Sequence, residues 1–501
     1  MTIAFLHARP RLTVRLDDQA LSTALEARLI SVVVRQALGT PAVLELSFAD
    51  VPAAQLASLR PGISATVSVA PGGDLFSGRV TEIAQDYAPD RGSVFKLIAR
   101  DALHKLACRE SLLTLENVSA RDLAERFASD VGLGLQCHES VPKREIAVQH
   151  QQSDLDFLND FAGDAGLYPI VRYAELHLMS LAGDGDDGLE LTLGANLLAF
   201  RGRVVAERNL PAGKLFSRDP VTMEPRETQA SLARQDQVEM RDPGDLGVGD
   251  HHLLNRMTGS PQEAEALLQA SLDRAAADVL VAEGLTEGDA ALMPGRIIDV
   301  RGVADAFVAS YVVTRVQHRM TATEGFVSEF STQRPLAERP ARGPVMTIGE
   351  ITKVNDPEKL GRCQVMLHEF GGAIAGWMPV VMPGAGARKG VVALPDEGDE
   401  VAILLPEGDP TRGVILGNII GTKRLPKGAE DTPRGICLRS KDGQVLELKG
   451  SGGAALLANR SGSLVDIRPG RMRIAAASDL IIEAPGKTIT IRANEIKMER
   501  G

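Results

Sequence analysis

Leu59-Arg-Pro-Gly-Ile-Ser-Ala-Thr-Val-Ser-Val-Ala70 and, 233 residues downstream, Leu292-Met-Pro-Gly-Arg-Ile-Ile-Asp-Val-Arg301 open two stretches that align without a gap. The match runs over Leu59 to Leu97 and Leu292 to Phe330. Pro61 meets Pro294, Gly62 meets Gly295 and Val67 meets Val300; further on, Val80-Thr81 meets Val313-Thr314 and Ile83 meets Val316. Gly92 meets Gly325, and Val94 meets Val327. Each copy reads as a Pro-Gly turn, a strand, a loop and a β-hairpin with a glycine at its tip. A repeat of this kind implies two related β-barrels in one chain. Three such chains around an axis would present six near-equivalent barrels, which lets a three-fold object mate with a six-fold one.

Capped helices are expected between the copies. Ser119 with Asp122 opens a helix carrying Leu123, Phe127 and Val131, closed by Gly132. Ser153 with Asp156 opens another, with Leu155, Leu158 and Ala162 on one face and Gly166 at its end. Ser260, Pro261 and Glu263 start a longer helix expected to end at Gly284. Three prolines between residues 334 and 344 make that stretch extended and fit for a junction.

Residues 345–421 alternate short strands with glycine turns, as in Glu400-Val-Ala-Ile-Leu-Leu405 and Gly413-Val-Ile-Leu-Gly417. Five strands without a helical pattern predict a small OB-type barrel. OB barrels that bind oligonucleotides or sugars use aromatic platforms; here Trp377 stands without a basic stripe, so packing is the expected role.

The pattern changes again from Gly435 to Gly501. Met472, Ile474, Ala476, Leu480, Ile482 and Ala484 occupy even positions, while Arg471, Arg473, Asp479 and Glu483 point the other way. Ile489 and Ile491, then Ile496 and Met498, are expected to continue in short strands broken by Pro485-Gly486 and Asn494. A single chain of this kind leaves an apolar ribbon and open strand edges in water. Three copies wound together bury the faces on an axis and pair the edges. The fold class expected is therefore mainly β with minor α: two related barrels with inserted helices, an OB-fold barrel and an intertwined trimeric β-helix or prism.

Bulk properties narrow the function. A net charge of −11 opposes sequence-independent nucleic-acid binding and any affinity for anionic lipid, leaving only transient mechanical membrane contact. Cys108, Cys137, Cys363 and Cys437 lie far apart, which reads as small core residues in a reducing compartment. The apolar run at Met1 to Leu6 is too short for a signal peptide, so cytoplasmic synthesis and a non-Sec export route are expected.

His251-His252 reads as solvated loop; Asp184-Gly-Asp-Asp-Gly188 resembles a calcium loop but has Ala195 where a bidentate glutamate is needed. Gly384-Ala-Gly-Ala-Arg-Lys-Gly390 precedes a strand and not the helix a phosphate cradle requires. No Gly-x-Ser-x-Gly or His-Glu-x-x-His occurs. The expectation is a structural protein without cofactor, metal or enzymatic activity.

Glu350-Ile-Thr-Lys-Val-Asn-Asp-Pro-Glu-Lys-Leu-Gly-Arg362 resembles the opening of the OB domain of type VI secretion VgrG proteins and phage baseplate spikes. Residues 397–417, Glu-Gly-Asp-Glu-Val-Ala through Thr-Arg-Gly-Val-Ile-Leu-Gly, resemble its closing half. Gln152 to Phe157 with Gly166-Leu-Tyr168, and Ser310 to Arg319, are similar to the hub of the same family. The resemblance implies hub barrel 1 over 1–108, a helical insertion over 109–190 and hub barrel 2 over 191–335. A linker at 336–344, the OB domain at 345–421, a second linker at 422–434 and a needle at 435–501 follow. It implies the homotrimeric spike of a contractile injection system, expelled from the assembled particle on contraction. Its hub end would meet the hexameric inner tube and baseplate, and its needle end, with Ile496 and Met498 as platform, would carry a PAAR-repeat tip protein. The stretch 421–435 shows no lysozyme insertion and no effector domain is expected past 501, against the alternative of a cell-wall-degrading spike. The needle's lack of aromatics speaks against a glycan-binding one.

Overall fold

The computed structural model describes residues 11–52, 55, 59–88, 92–183, 188–205, 212–220, 224–230, 249, 251–335, 343–385, 391–420, 436–449 and 452–500. The apolar run at the start, Asp184 to Asp187, most of the 336–344 junction, the end of the Gly384 loop and the 422–434 linker lie outside them. Two compact units are present, Met1–Asn418 and Ile419–Gly501.

The repeat is visible in the pairing of strands. In the first copy, Ser64–Ala70 pairs antiparallel with the early part of Gly73–Ala88 so that Ser64 faces Arg79. In the second, Ile297–Arg301 pairs with Ala309–Val312 so that Ile297 faces Val312, each residue displaced by the same 233. The hairpins agree too: Ala88 faces Gly92, and Thr321 faces Gly325. Both tip glycines have positive φ, 73° and 75°, where a side chain is strained. The Pro-Gly turns close alike, with Gly62 N–H donating to Val80 O and Gly295 N–H donating to Val313 O. Alternate residues enter each core, Ala65, Val67 and Val69 in one and Ile298 and Val300 in the other.

The two copies are joined more closely than the repeat alone implies. Leu29–Ala37 of the first pairs antiparallel with Arg315–Thr321 of the second, Val34 opposite His318. This seam merges the hairpins of both copies into one eleven-stranded sheet, while Ile297–Arg301 and Ala309–Val312 form a separate three-stranded sheet with Leu189–Thr192. It also removes two open strand edges at once.

The helices form where capping residues place them, with two adjustments. Ala120–Val131 has a full capping box between Ser119 and Asp122 and stops at left-handed Gly132. Asp154–Gly163 ends three residues before Gly166. Pro261–Ala277 starts on the Ser260 cap as expected but does not reach Gly284. Residues Leu280–Glu287 are instead a strand between Leu197–Val204 and Gly325–Ser331. Gly284 is needed there because a Cβ would sit 2.5 Å from the Phe330 ring. Tertiary pairing overrides the helical reading of that apolar run.

Residues 345–419 form a five-stranded sheet ordered Ala373–Met378, Cys363–Leu367, Val345–Lys353, Glu400–Leu405, Val414–Ile419. Ile351, Val365, Leu367, Val401, Ile403 and Ile415 fill its core. Trp377 is half-buried and lies opposite Gln364. The second unit is a five-stranded meander, Ile436–Arg439, Val445–Leu448, Ala455–Ala458, Leu464–Arg468 and Arg471–Ala475, each pairing with the next.

Candidate functional site

The meander builds one apolar face. Directly opposed residues in an antiparallel sheet share a face. One row across all five strands is Leu438, Leu446, Leu457, Val465 and Ile474; the next is Ile436, Leu448, Ala455, Ile467 and Met472. The reverse face is mixed: Glu447, Asp466 and Arg473 share one row with Cys437 and Leu456, and Arg439 shares the other with Val445, Ala458, Leu464 and Ala475. Most of the apolar rows are exposed in the chain, Ile436 by 62% and Leu457 by 55%. Met472 and Ile474 were legible in the sequence as members of such a face, but the eight members upstream of them were not. The alternation in Ile436-Cys-Leu438 and Val465-Asp-Ile467 carries the same period and would have revealed them.

The chain treats the remaining nominated residues differently. Its strands end at Ala475, and none is present from Ala476 to Arg500. Ala476, Leu480, Ile482, Ile489, Ile491, Ile496 and Met498 are exposed there, and Ala484 is half-buried. The expected short strands at 489–498 are thus absent from the single chain, which offers them no neighbour to pair with.

In the first unit, polar chemistry concentrates where the OB sheet meets the barrels and their helical insertion. Glu263, third in its helix, is bonded by Gly259 N–H at 2.7 Å and contacts Arg144 at 3.1 Å. Arg412 of the OB sheet donates to the same carboxylate and contacts Asp409 at 3.2 Å. Arg144 reaches Asp164 at 2.6 Å and lies 4.4 Å from the centre of the Phe161 ring. Burial opposes the Arg412 charge, but Glu263 and Asp409 outweigh it and raise its pKa. Arg256 pairs with Glu407 at 3.1 Å across the same joint. Arg144, Asp164, Arg256, Glu407, Asp409 and Arg412 border a cleft of about 750 Å³ whose basic and acidic side chains are set against one another. Such mutual neutralisation suits a structural joint.

The Asn355 to Arg362 motif is a second polar knot. Asp356 takes the Arg362 guanidinium at 2.7 and 3.0 Å, and the amides of Glu358 and Leu360 at 3.0 and 2.8 Å. Both side chains are nearly inaccessible. The Arg362 bonds hold the Asp356 carboxyl far below the usual carboxylate range.

Other sequence readings need correction. His251 and His252 open the strand His251–Met257 and do not lie in a loop. Pairing with Gly213–Arg218 imposes an alternation that sends His251 to Ser271 Oγ at 2.9 Å and His252 towards Phe216. Of the four free cysteines only Cys363 is buried; Cys108 ends the short helix Leu103–Ala107 in an exposed position. Among the described residues no His, Cys, Asp and Glu cluster could hold a metal. No helix of theirs is long and apolar enough to cross a membrane.

A family model for the phage tail baseplate hub (GPD) matches residues 35–324, more than half of the chain. The chain belongs to the phage tail baseplate hub family. The model of the type VI secretion and phage-baseplate injector OB domain matches residues 347–419 of this hub, the five-stranded sheet described above. The hub is 20% identical over 412 residues to the type VI secretion spike protein VgrG3 of Vibrio cholerae. That match covers 74% of the hub, which spans 40% of that relative's length.

Solved structures share its fold. An E. coli type VI secretion component, c3393, described as similar to the T4 tail proteins gp27 and gp5, superposes with a TM-score of 0.53 at 13% identity. The match covers 82% of the hub and all of that chain. A chain of the lidded Francisella PdpA–VgrG complex gives 0.54 at 10% identity, over 93% of the hub and 80% of that chain. The hub is thus a VgrG-like hub and spike protein of the type VI secretion and phage-baseplate kind.

Proposed function

We propose that the chain is the homotrimeric central spike of a contractile injection system and acts mechanically, without catalysis. The observation that carries this reading is the uncovered apolar face of the C-terminal meander. Eight of the ten apolar positions in two continuous rows are exposed in one chain, a patch that isolated soluble proteins rarely present. Three copies bring three such faces together on an axis. Ala476 to Met498 then gain strand neighbours from other chains, with Leu480, Ile482, Ala484, Ile489 and Ile491 continuing the core. The result is a stiff, narrow rod suited to piercing. Ile496 and Met498 form the apolar platform for a PAAR-type tip protein. At the other end the repeated barrels offer six equivalent edges to the inner tube.

Light scattering on the full chain beside a 1–433 truncation tests this. The full chain is expected at three times its 53.4 kDa monomer mass and the truncation at a smaller multiple. A well-folded full-length monomer at micromolar concentration would overturn the reading.

A further inference from the structure

The charge of the chain is unevenly divided. Residues 419–501, the second unit, hold fifteen Lys and Arg against nine Asp and Glu, a net +6, which leaves −17 on residues 1–418. The total of −11 that speaks against anionic lipid therefore describes the first unit and not the second.

The cations of the meander gather on its reverse face. Arg473 shares that face with Glu447 and Asp466, and the period of two carries Lys449, Arg468 and Arg471 onto it one row further along. Arg468 and Arg471 stand directly opposite each other, an arrangement that repels. Asp466 is the carboxylate both reach, at 2.9 and 3.9 Å, and their side chains stay 61% and 63% exposed. Leu456 lies between Glu447 and Asp466, so apolar and charged side chains are interleaved there.

We infer that this reverse face binds the phosphate groups of an anionic lipid surface, with Arg468 and Arg471 as its central clamp. One phosphate accepts from two guanidiniums at once and relieves their repulsion. Lys449 and Arg471 flank strands three spacings apart, about 14 Å, farther than a single free phosphate bridges. Residues 419–501 contain no Phe, Tyr or Trp on which nucleic-acid bases could stack. Cations set beside Leu456 on one broad face suit a headgroup layer, where stems lie along apolar surface and charges meet phosphate. This adds a partner to the proposed spike. The trimer reading enters only in burying the apolar face and leaving this one outward.

The test floats the full chain with vesicles of phosphatidylcholine alone or with about one third phosphatidylglycerol, at low salt and at about 0.5 M salt. Binding is expected to be at least about tenfold stronger on the anionic vesicles and to vanish at the higher salt. Arg468→Gln with Arg471→Gln, both exposed and so expected to fold, should lower it at least about fivefold at unchanged particle mass, whereas Arg468→Lys with Arg471→Lys retains most of it. Equal binding to both vesicle types, or no loss in the glutamine variant, overturns the inference. So does displacement by inorganic phosphate beyond that by chloride of equal ionic strength, which makes a free phosphate the ligand. Duplex DNA bound in preference to vesicles overturns it too. A monomer by light scattering whose anionic-vesicle binding still falls in the glutamine variant removes the trimer and keeps this inference.

Discussion

Asp356 and Arg362 show how one carboxylate can organise a loop. The motif that carries the family resemblance in the OB domain is built on a buried ion pair with amides gathered round it, while Glu358 and Leu360 stay exposed. Asp356→Ala strands a buried guanidinium, and its cost is expected to be about 3–5 kcal/mol in thermal or denaturant unfolding. The depressed carboxyl also sets an acid limit. Its contribution is complete above the unfolded carboxylate range near pH 4 and is lost as pH falls further. His318 works from the other side. Burial in the internal seam, where it bonds Ser328 Oγ at 2.8 Å, lowers its pKa to about 4. The neutral ring is therefore part of the folded state. Its contribution is whole above about pH 6.5 and declines towards pH 4, by about 3 kcal/mol over that window. A His318→Gln variant should flatten that part of the stability–pH curve measured by urea unfolding.

At the scale of elements, strands were legible where a period of two met a turn signal and a neighbouring strand of the same chain was at hand; the alternation at 480–498 had the signal but no such neighbour. The Pro-Gly turns and hairpin tips of both copies were read correctly because Gly62, Gly92, Gly295 and Gly325 sit at positive φ, which few other residues tolerate. Helix starts were equally plain from Ser119, Ser153 and Ser260. The end of the last helix was not, because Val279 to Glu283 is apolar enough for either state and only its two strand neighbours decide. The apolar face of the C-terminal meander belongs to this scale too. Leu446→Asp or Leu457→Asp puts a charge in the proposed trimer core. Sedimentation or light scattering should show dissociation by at least tenfold, with the first unit still folded by circular dichroism.

On the scale of the molecule, the barrels, the insertion and the OB sheet are tied by residues far apart in sequence. Glu263 is the common acceptor for Gly259, Arg144 and Arg412. Arg412→Ala removes the OB member and leaves that carboxylate with one fewer cation. About 3 kcal/mol of joint stability should be lost, seen as faster amide exchange at Gly259 to Ala264 and in the OB sheet. If the joint transmits thrust from barrels to spike, the same variant should fold and trimerise yet loosen here first.

What the sequence by itself determined was local and periodic: turns, caps, alternating strands and the fixed offset between the copies. Each depends on a backbone preference or a side-chain period that a few adjacent residues express alone. Only the tertiary structure decided how those pieces share edges and charges. The Leu29–Ala37 seam with Arg315–Thr321 unites strands almost three hundred residues apart. Strand pairing uses main-chain groups that every residue carries, so its choice of partner leaves little trace in the letters of the chain.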